Sequence, residues 1–541
     1  MALGTNSSSA VPETAPGSQP LSPSWLRFAL PSLPDLIFVA LLFSFAVAPL
    51  SQKLLSDGDI GWHIRNGQLI ANLRVLPRTD VFSSTMNGQP WFAWEWLYDA
   101  MIGAVYNAGG LNGVVAISAW IIAATFVIAV RTMLRSGNYA IVLILFLLSV
   151  SASMIHALAR PHLVSWLFVV VWFAILDREE AEPGNANLRS RLYWLPVLML
   201  AWVNLHGGFL LGLVLIAIYA LAALCSVTSQ DAGLRSIARR RLRLLAEIFA
   251  LSAVASLVNP YGYRLHLHVY RYLSNRFLMT HISEFKSPDF HGVAERCFVI
   301  LLAISAIAVA VSWRRCRSSH ILLLLVFGYA GLHASRNIPI SSLTLAIIAA
   351  PLLTDHLRRF ATAQTGSPLR AFTSRLDAFS QKTIRTQCQL KGHVWAALAL
   401  IVLGWACLHN GSIGASHLLN AHFDPQHFPV KAVDRLADEK IAEPVFTQDS
   451  WGGYLIYRLF PQTKVVVDDR HDFYGEYFVR EYLKVLHVEP GWHSVLDNWK
   501  VNLVLMPRNS SLAAALSNDP QWRAIESDDV ATTFQRVSTG P

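Results

Sequence analysis

Charged residues are scarce in this sequence. Of its 541 residues, 15% are charged, against about 25% in ordinary soluble domains. Hydrophobic residues make up 53%, and the mean hydropathy is +0.39. Such a composition excludes a disordered chain, which buries too little apolar surface to fold, and a cytosolic single-domain enzyme. It is typical of a polytopic membrane protein.

Cysteine is also rare. The chain has five cysteines, no two of them at metal-ligand spacing, and none follows Cys407. This pattern argues against a disulfide-stabilised secreted scaffold and against a zinc site.

The sequence has long apolar runs instead. A membrane-spanning helix needs about 20 residues and tolerates about 17. Eleven runs approach this length, at 36–50, 112–131, 139–158, 162–177, 192–204, 207–226, 243–258, 296–313, 319–334, 337–354 and 393–409. We therefore predict a polytopic α-helical membrane protein with about 11 transmembrane helices in residues 35–409, preceded by a flexible cytoplasmic tail, residues 1–34.

The net charge of +9 has an explanation in membrane topology. If the N-terminus is cytoplasmic, the arginine-rich loops, including Arg239–Arg241 and the basic loop 355–392, all lie on the cytoplasmic side. This asymmetry follows the positive-inside rule, so we expect no nucleic-acid partner. The same orientation places residues 410–541 on the exoplasmic side.

The first exoplasmic loop, 51–110, holds the sharpest polar pattern. Asp57 and Asp59 follow the first apolar run directly, and Gly58 and Gly61 allow a tight bend that brings both acids towards His63. One acid is positioned to take a proton from an acceptor hydroxyl, or both to hold a divalent cation, Mg²⁺ or Mn²⁺, through oxygen. The alternative is that both simply end a helix in water.

Other polar residues fall on the same predicted face. An arginine at membrane depth costs about 2.5–3.5 kcal/mol, so it usually faces a cavity or a partner. Arg160 and Arg336 fit a pair that holds a lipid-linked phosphate through forked donors. Helix capping and turn formation are the alternative for each residue alone. The candidate substrate-binding residues are His63, Arg65, Glu95, Arg160, His162, Asn204, His206, Glu284, Arg336 and Asn337.

Residues 410–541 have a globular composition. Strands are predicted at 444–447, 464–468, 501–506, 522–526 and 531–537, alternating with helices at 429–436, 451–460, 476–486 and 511–516. The alternation predicts a small exoplasmic α/β domain. Its acids at 468–472 follow a strand, where they either bind substrate or metal or pair with Arg470 and brace the domain.

The whole pattern resembles the GT-C superfamily of membrane glycosyltransferases. The first-loop residues Asp57-Gly58-Asp59, Trp62-His63-Ile64-Arg65 and Pro77-Arg78-Thr79-Asp80 are similar to the first loop of the oligosaccharyltransferase catalytic subunit. The tail lacks the WWDYG-type acceptor-peptide motif of those enzymes and has only Trp451-Gly452-Gly453-Tyr454 in its place. The acceptor is therefore left open.

The resemblance implies that a sugar moves from a polyprenyl-phosphate carrier to an acceptor on the exoplasmic face, with inversion. It implies that Asp59 or Asp57 is the base or a metal ligand and that Arg160 or Arg336 holds the lipid phosphate. The expected location is a bacterial inner membrane, with the C-terminal domain in the periplasm. The alternatives are a non-catalytic relative that binds lipid-linked intermediates and a transporter.

Overall fold

A computed structural model describes residues 24–362, 368–390 and 392–537. Most of the predicted tail, 1–34, lies outside the described residues. Each of the eleven apolar runs overlaps a helix. These helices are Leu33–Ala46, Trp96–Leu134, Tyr139–Ser153, His162–Ala181, Trp194–Leu205, Leu210–Val227, Ala232–Ala255, Val293–Val311, Ser318–His333, Ile338–Thr362 and Val394–Leu408.

Six helical segments of the described chain are long and apolar enough to cross a membrane: Arg27–Ala46, Trp96–Leu134, Tyr139–His156, Gly207–Val227, Val293–Val311 and Ser335–Thr362. Helix Trp194–Leu205 has only 12 residues, fewer than the roughly 17 that a span requires. Helix His162–Ala181 ends in the charged residues 177–180. Many apolar helices indicate a multi-pass membrane protein, and the number eleven stays a prediction.

One helix forms the centre of the bundle. Every residue from Ile338 to Ala350 is buried, although a helix facing lipid would expose one side. Ile338–Thr362 packs against Tyr139–Ser153, Val293–Val311 and Ser318–His333. Its first residues follow the short 3₁₀ turn Ser335–Asn337, so the candidate residue Arg336 sits on a firmly held element.

The predicted first loop is largely structured. It contains the helices Leu50–Leu54 and Ile60–Leu73, and the long helix Trp96–Leu134 starts inside it. This helix is interrupted at Gly110, whose φ of 58° lies in the left-handed region. Asp57 and Asp59 lie in the turn between the two short helices.

The C-terminal domain contains a mixed four-stranded sheet. Its strands are β1 (Val445–Thr447), β2 (Leu503–Pro507), β3 (Trp522–Ser527) and β4 (Ala531–Arg536), in the spatial order β1-β2-β4-β3. β1 and β2 are parallel, with Val445 opposite Leu503, and the other neighbours are antiparallel. Helices flank it at Val430–Asp438, Asp449–Leu459, His471–Leu486, Trp492–Asn498 and Ser511–Ser517.

The predicted strand at 464–468 is wrong. Val465 forms only isolated bridges, to Val445 of the tail and to Ser83 of the first loop. The segment cannot continue as a strand because Asp468 and Arg470 turn into a buried ion cluster with the first loop. It therefore connects the two parts of the chain instead of extending the sheet.

Glycine allows the first loop and the tail to touch backbone to backbone. A Cβ on Gly61 would lie 2.2 Å from the carbonyl oxygen of Gly453, and a Cβ on Gly453 would lie 2.4 Å from that of Gly58. Helix Asp449–Leu459 thus packs on helix Ile60–Leu73 at a distance that no larger residue allows. Gly58 and Gly61 serve this close approach, and neither has a positive φ.

Replacing Gly453 tests this contact. In an open helix position, Gly→Ala stabilises by up to about 1 kcal/mol. Gly453→Ala is expected to destabilise by about 1–3 kcal/mol, because the methyl group meets backbone that cannot rotate away. Gly404→Ala is the matched control, since its Cβ meets nothing within 4 Å in helix Val394–Leu408. In thermal unfolding in detergent, Gly453→Ala should have a lower melting temperature than the wild type, and Gly404→Ala should not. A wild-type melting temperature for Gly453→Ala would contradict the close contact.

Candidate functional site

A cavity of about 880 Å³ lies where the first loop, the turns between apolar helices and the C-terminal domain meet. Most of the predicted site residues line it, although the sequence separates them by up to 278 positions between Asp59 and Asn337. They are Asp59, His63, Glu95, Arg160, His162, His206, Glu284, Arg336 and Asn337.

Arg160 joins the two first-loop acids. Its Nη1 donates to Asp57 Oδ2 at 2.8 Å, and its Nη2 lies 2.8 Å from Asp59 Oδ2. Asp59 is 3% exposed. Burial raises the pKa of Asp59 well above its usual range, and this effect exceeds the opposing attraction of Arg160. A carboxylate with a raised pKa is a stronger base, so Asp59, beside the guanidinium of Arg160, is suited to accept a proton.

Glu95 lies between two histidines in the same cavity. Its Oε2 is 3.9 Å from His63 Nε2, and its Oε1 is 3.6 Å from His206 Nε2. His63 is oriented from behind by Asp99, whose Oδ1 lies 2.6 Å from its Nδ1. Burial raises the pKa of Glu95 well above its usual value. The side chain is placed to bind a ligand hydroxyl between two rings.

His206 is held as a neutral imidazole. Its Nδ1 accepts a hydrogen bond from the Gly208 N–H at 3.1 Å and lies 2.7 Å from Ser165 Oγ. Because Nδ1 is the acceptor, Nε2 carries the proton and points towards Glu95. Burial, with help from Arg336 and Arg160, lowers the pKa of His206 to about 3.

A second arginine, Arg336, also lines the cavity. Arg336 Nη1 is 3.3 Å from Glu284 Oε1, and the guanidinium carbon lies 4.4 Å from the centre of the Phe285 ring. Burial works against ionisation of Glu284, but Arg336 and Arg160 outweigh it and hold the pKa of Glu284 well below its usual range. Arg336 is 30% exposed, so ligand can reach it.

Two cavity residues also stabilise their own turns. Asn337 Nδ2 donates to the Ala330 carbonyl at 3.0 Å, and His162 Nε2 lies 2.8 Å from the His156 carbonyl. These bonds leave each residue facing the cavity through its other atoms.

Three predicted residues lie away from the main cavity. Arg65 donates from Nε to the Tyr457 carbonyl at 2.8 Å, at the contact between the first loop and the tail. Asn204 accepts from Trp96 Nε1 at 2.9 Å and donates to two backbone carbonyls. Asp57 lines an adjoining cavity of about 450 Å³, which shares Arg160 with the main one. Arg65 and Asn204 thus hold neighbouring segments of the chain together through these hydrogen bonds.

The C-terminal domain contributes a wall that the candidate residues did not include. Asp469, Arg470, His471 and Asp472 all line the main cavity. The sequence signal was present, since these residues follow a predicted strand end. Only the fold brings that segment to the cavity that Asp59 lines. The sequence predicts where a strand ends but not which distant loop that end will contact.

Arg470 anchors this wall to the first loop. Its Nε is 2.7 Å from Asp468 Oδ1, and its Nη2 is 2.7 Å from Asp80 Oδ1. The guanidinium carbon lies 4.7 Å from the centre of the Trp91 ring. The sequence left two interpretations of this segment open, ligand binding and ion pairing that braces the domain. Arg470 fits the ion pairing, whereas its neighbours Asp469 and His471 face the cavity.

A group that fits a divalent cation lies in the tail. One ligand atom each from Asp449, Asp469 and His471 lies within 4.8 Å of the others, and carboxylate oxygen with imidazole nitrogen is an ordinary donor set. His471 Nε2 is 3.0 Å from Asp449, and Nδ1 is 2.9 Å from Asp469. In both places a cation would displace a positive partner of the acids: Arg160 at Asp57 and Asp59, and the imidazolium proton of His471 at the tail group.

Comparison with known proteins was informative only for structure. No protein-family model and no curated protein matches the chain. ArnT from Cupriavidus metallidurans, solved with undecaprenyl phosphate, aligns with a TM-score of 0.50 at 14% identity, over 94% of this chain and 99% of ArnT. The Archaeoglobus fulgidus oligosaccharyltransferase, in complex with zinc and sulfate, aligns with a TM-score of 0.50 at 11% identity, over 88% and 67%.

The chain has the fold of these two proteins. This is the fold that the GT-C resemblance predicts. Within this fold, Asp59 of the first loop, the turn arginines and the tail surround one cavity.

The charge on His471 yields a pH prediction. Burial disfavours its protonation, but Asp469 and Asp449 outweigh burial and hold the pKa of His471 well above its usual range. A raised folded-state pKa adds stability that is complete below about pH 6.5, the ordinary histidine pKa, and is lost as pH rises through the folded value.

Thermal unfolding of the wild type and of His471→Gln should therefore differ most in mildly acidic solution and converge at alkaline pH. His487→Gln is the control, because His487 is 59% exposed and its nearest carboxylate is 4.0 Å away. A difference that grows with pH would show that His471 is neutral in the folded protein.

Proposed function

We propose that this protein is a glycosyltransferase that moves a sugar from a polyprenyl-phosphate-linked donor to an acceptor, with inversion, in the cavity beside Asp59. The observation that carries the proposal is the pairing of a buried acid with a forked cation, Arg160, 2.8 Å apart on one cavity wall. The fold adds support, since one structural neighbour, ArnT, was solved with undecaprenyl phosphate.

The donor phosphate binds first in this mechanism. A phosphate offers the same paired oxygens as the two carboxylates that Arg160 now holds. Phosphate binding would draw the guanidinium away from Asp59 and leave that carboxylate free to accept a proton. Arg336, which lines the same cavity, is the second candidate for the phosphate.

Transfer is a single displacement. The acceptor hydroxyl attacks the anomeric carbon while Asp59 takes its proton. The new carbon–oxygen bond forms as the bond from the anomeric carbon to the phosphate oxygen breaks, and the bonding electrons leave with the phosphate. The attack comes from the face opposite the leaving group, so the configuration inverts. Glu95, between His63 and His206, binds hydroxyl groups of the sugar.

A divalent cation, if the enzyme uses one, would offset the charge of the leaving phosphate. Asp57 and Asp59, or the tail group of Asp449, Asp469 and His471, are the residues that would hold it. We propose that the acceptor enters from the side of the C-terminal domain, which is periplasmic if the protein resides in a bacterial inner membrane.

Asp59→Asn tests the base. The amide keeps the shape of the side chain but cannot accept the proton, so the rate should fall at least about hundredfold. The measurement is release of polyprenyl phosphate from a panel of polyprenyl-phosphate sugars, with membranes of the expressing cells as the source of acceptor. Asp434→Asn, an exposed acid of the tail that pairs with Arg458, is the control. Normal rates with normal membrane insertion would remove Asp59 from this role.

Arg160→Gln and Arg336→Gln distinguish the two phosphate candidates. Loss of a charged hydrogen bond costs about 1.5–3 kcal/mol, so the residue that holds the phosphate should weaken polyprenyl-phosphate binding about 10- to 100-fold. Native mass spectrometry of the purified protein with polyprenyl phosphate measures the affinity. Arg508→Gln, on an exposed arginine of the tail, should bind normally. Unchanged affinity in both cavity variants would argue against a phosphate site here.

A further inference from the structure

An amphipathic helix, Tyr263–Ser274, lies beside the cavity. It follows helix Ala232–Ala255, whose C-terminal half is apolar, and the short helix Arg276–His281 separates it from the candidate span Val293–Val311. The apolar side chains just before this helix are exposed, Leu257 by 45% and Val258 by 60%. Exposed apolar surface at this junction indicates lipid contact, so helix Tyr263–Ser274 starts near the edge of the bilayer.

The outward face of this helix combines aromatic and basic residues. Tyr263, Leu267 and Tyr270 are spaced by four and three residues, so they form one stripe, and they are 67%, 39% and 69% exposed. The exposed residues Arg264 and Arg271 lie seven residues, or about two helical turns, apart along the edge of the stripe. The helix contains no acidic residue. Tyrosine beside arginine is typical of a surface at the lipid headgroups.

The inward face of the same helix forms part of the cavity wall. Leu265 and Val269 are buried, and Val269 and Tyr272 line the cavity. His268 fixes the helix to the C-terminal domain, since its Nε2 lies 2.9 Å from Asp472 Oδ2. One helix therefore separates the cavity from the exterior on this side, and its two faces have different chemistry.

We propose that the outward face of Tyr263–Ser274 docks on the headgroup layer of the bilayer and binds anionic phospholipids there. The apolar stripe reaches below the phosphates, while Arg264 and Arg271 extend to them along their aliphatic stems. The cavity then lies one helix thickness from the lipid surface. Binding of the headgroup layer is independent of the transferase activity proposed above.

Photocrosslinking on two neighbouring tyrosines tests the orientation. p-Benzoylphenylalanine replaces either Tyr270, which points outward, or Tyr272, which lines the cavity, in the full-length protein in nanodiscs of phosphatidylcholine and phosphatidylglycerol. Mass spectrometry should find phospholipid adducts at position 270 and mainly adducts within the protein at position 272. Polyprenyl phosphate, added in a second reaction, should crosslink at 272 if it occupies the cavity. Phospholipid adducts that are equal at the two positions, or absent at 270, would overturn the proposal.

The arginines provide a second, independent measurement. Phosphatidylglycerol should be enriched over phosphatidylcholine among the adducts at position 270 by about fivefold per arginine, relative to their ratio in the nanodisc. Combining Arg264→Gln and Arg271→Gln should remove this enrichment without removing the adducts, because the apolar stripe remains. An enrichment that survives both substitutions would exclude these arginines as the anion-binding groups. Neither residue lines the cavity, so polyprenyl-phosphate binding to the double variant should stay normal and show that the variant is folded.

Discussion

The contact between the first loop and the C-terminal domain is the constraint on which the cavity depends. Gly58 and Gly61 meet Gly453 backbone to backbone, and Arg470 is buried between Asp468 of the tail and Asp80 of the loop. A buried arginine loses its hydration and is stable only when carboxylates replace it, so the two parts fit in one arrangement. That arrangement presents Asp469 and His471 to the cavity that Asp59 lines from the other side.

Electrostatic pairing then determines what each site residue is able to do. Arg160 is shared by two acids, and in the proposed mechanism it exchanges them for the donor phosphate. Glu95 has no oxygen closer than 3.6 Å to a histidine nitrogen and is available to a ligand. His206 is neutral because it is buried beside arginines. Within one cavity, burial thus raises the pKa of Asp59 and Glu95 and lowers that of His206, while the arginines lower the pKa of Glu284.

Much of the fold could be predicted from periodicity and composition. The apolar runs coincide with helices, and the strands of the tail at 445–447, 503–507, 522–527 and 531–536 lie where alternation placed them. The strand at 464–468 was mispredicted, because its β-branched residues fit a strand while its pairing partners are Val445 and Ser83. The polar loop 51–110 was predicted as a loop, yet Ile60–Leu73 is helical because its glycine-bearing face packs on the tail.

The sequence by itself determined the class of protein, the helices, and the chemistry of most side chains that line the cavity, because hydrophobic periodicity and residue type are local properties. Tertiary structure alone decided which of those side chains meet. It brought Asp59 to Arg160, set Arg65 against Tyr457 instead of the cavity, and added the wall from Asp469 to Asp472. The physical reason is that these contacts join residues up to several hundred positions apart, and their geometry is fixed by packing and by buried ion pairs that no spacing in the sequence encodes.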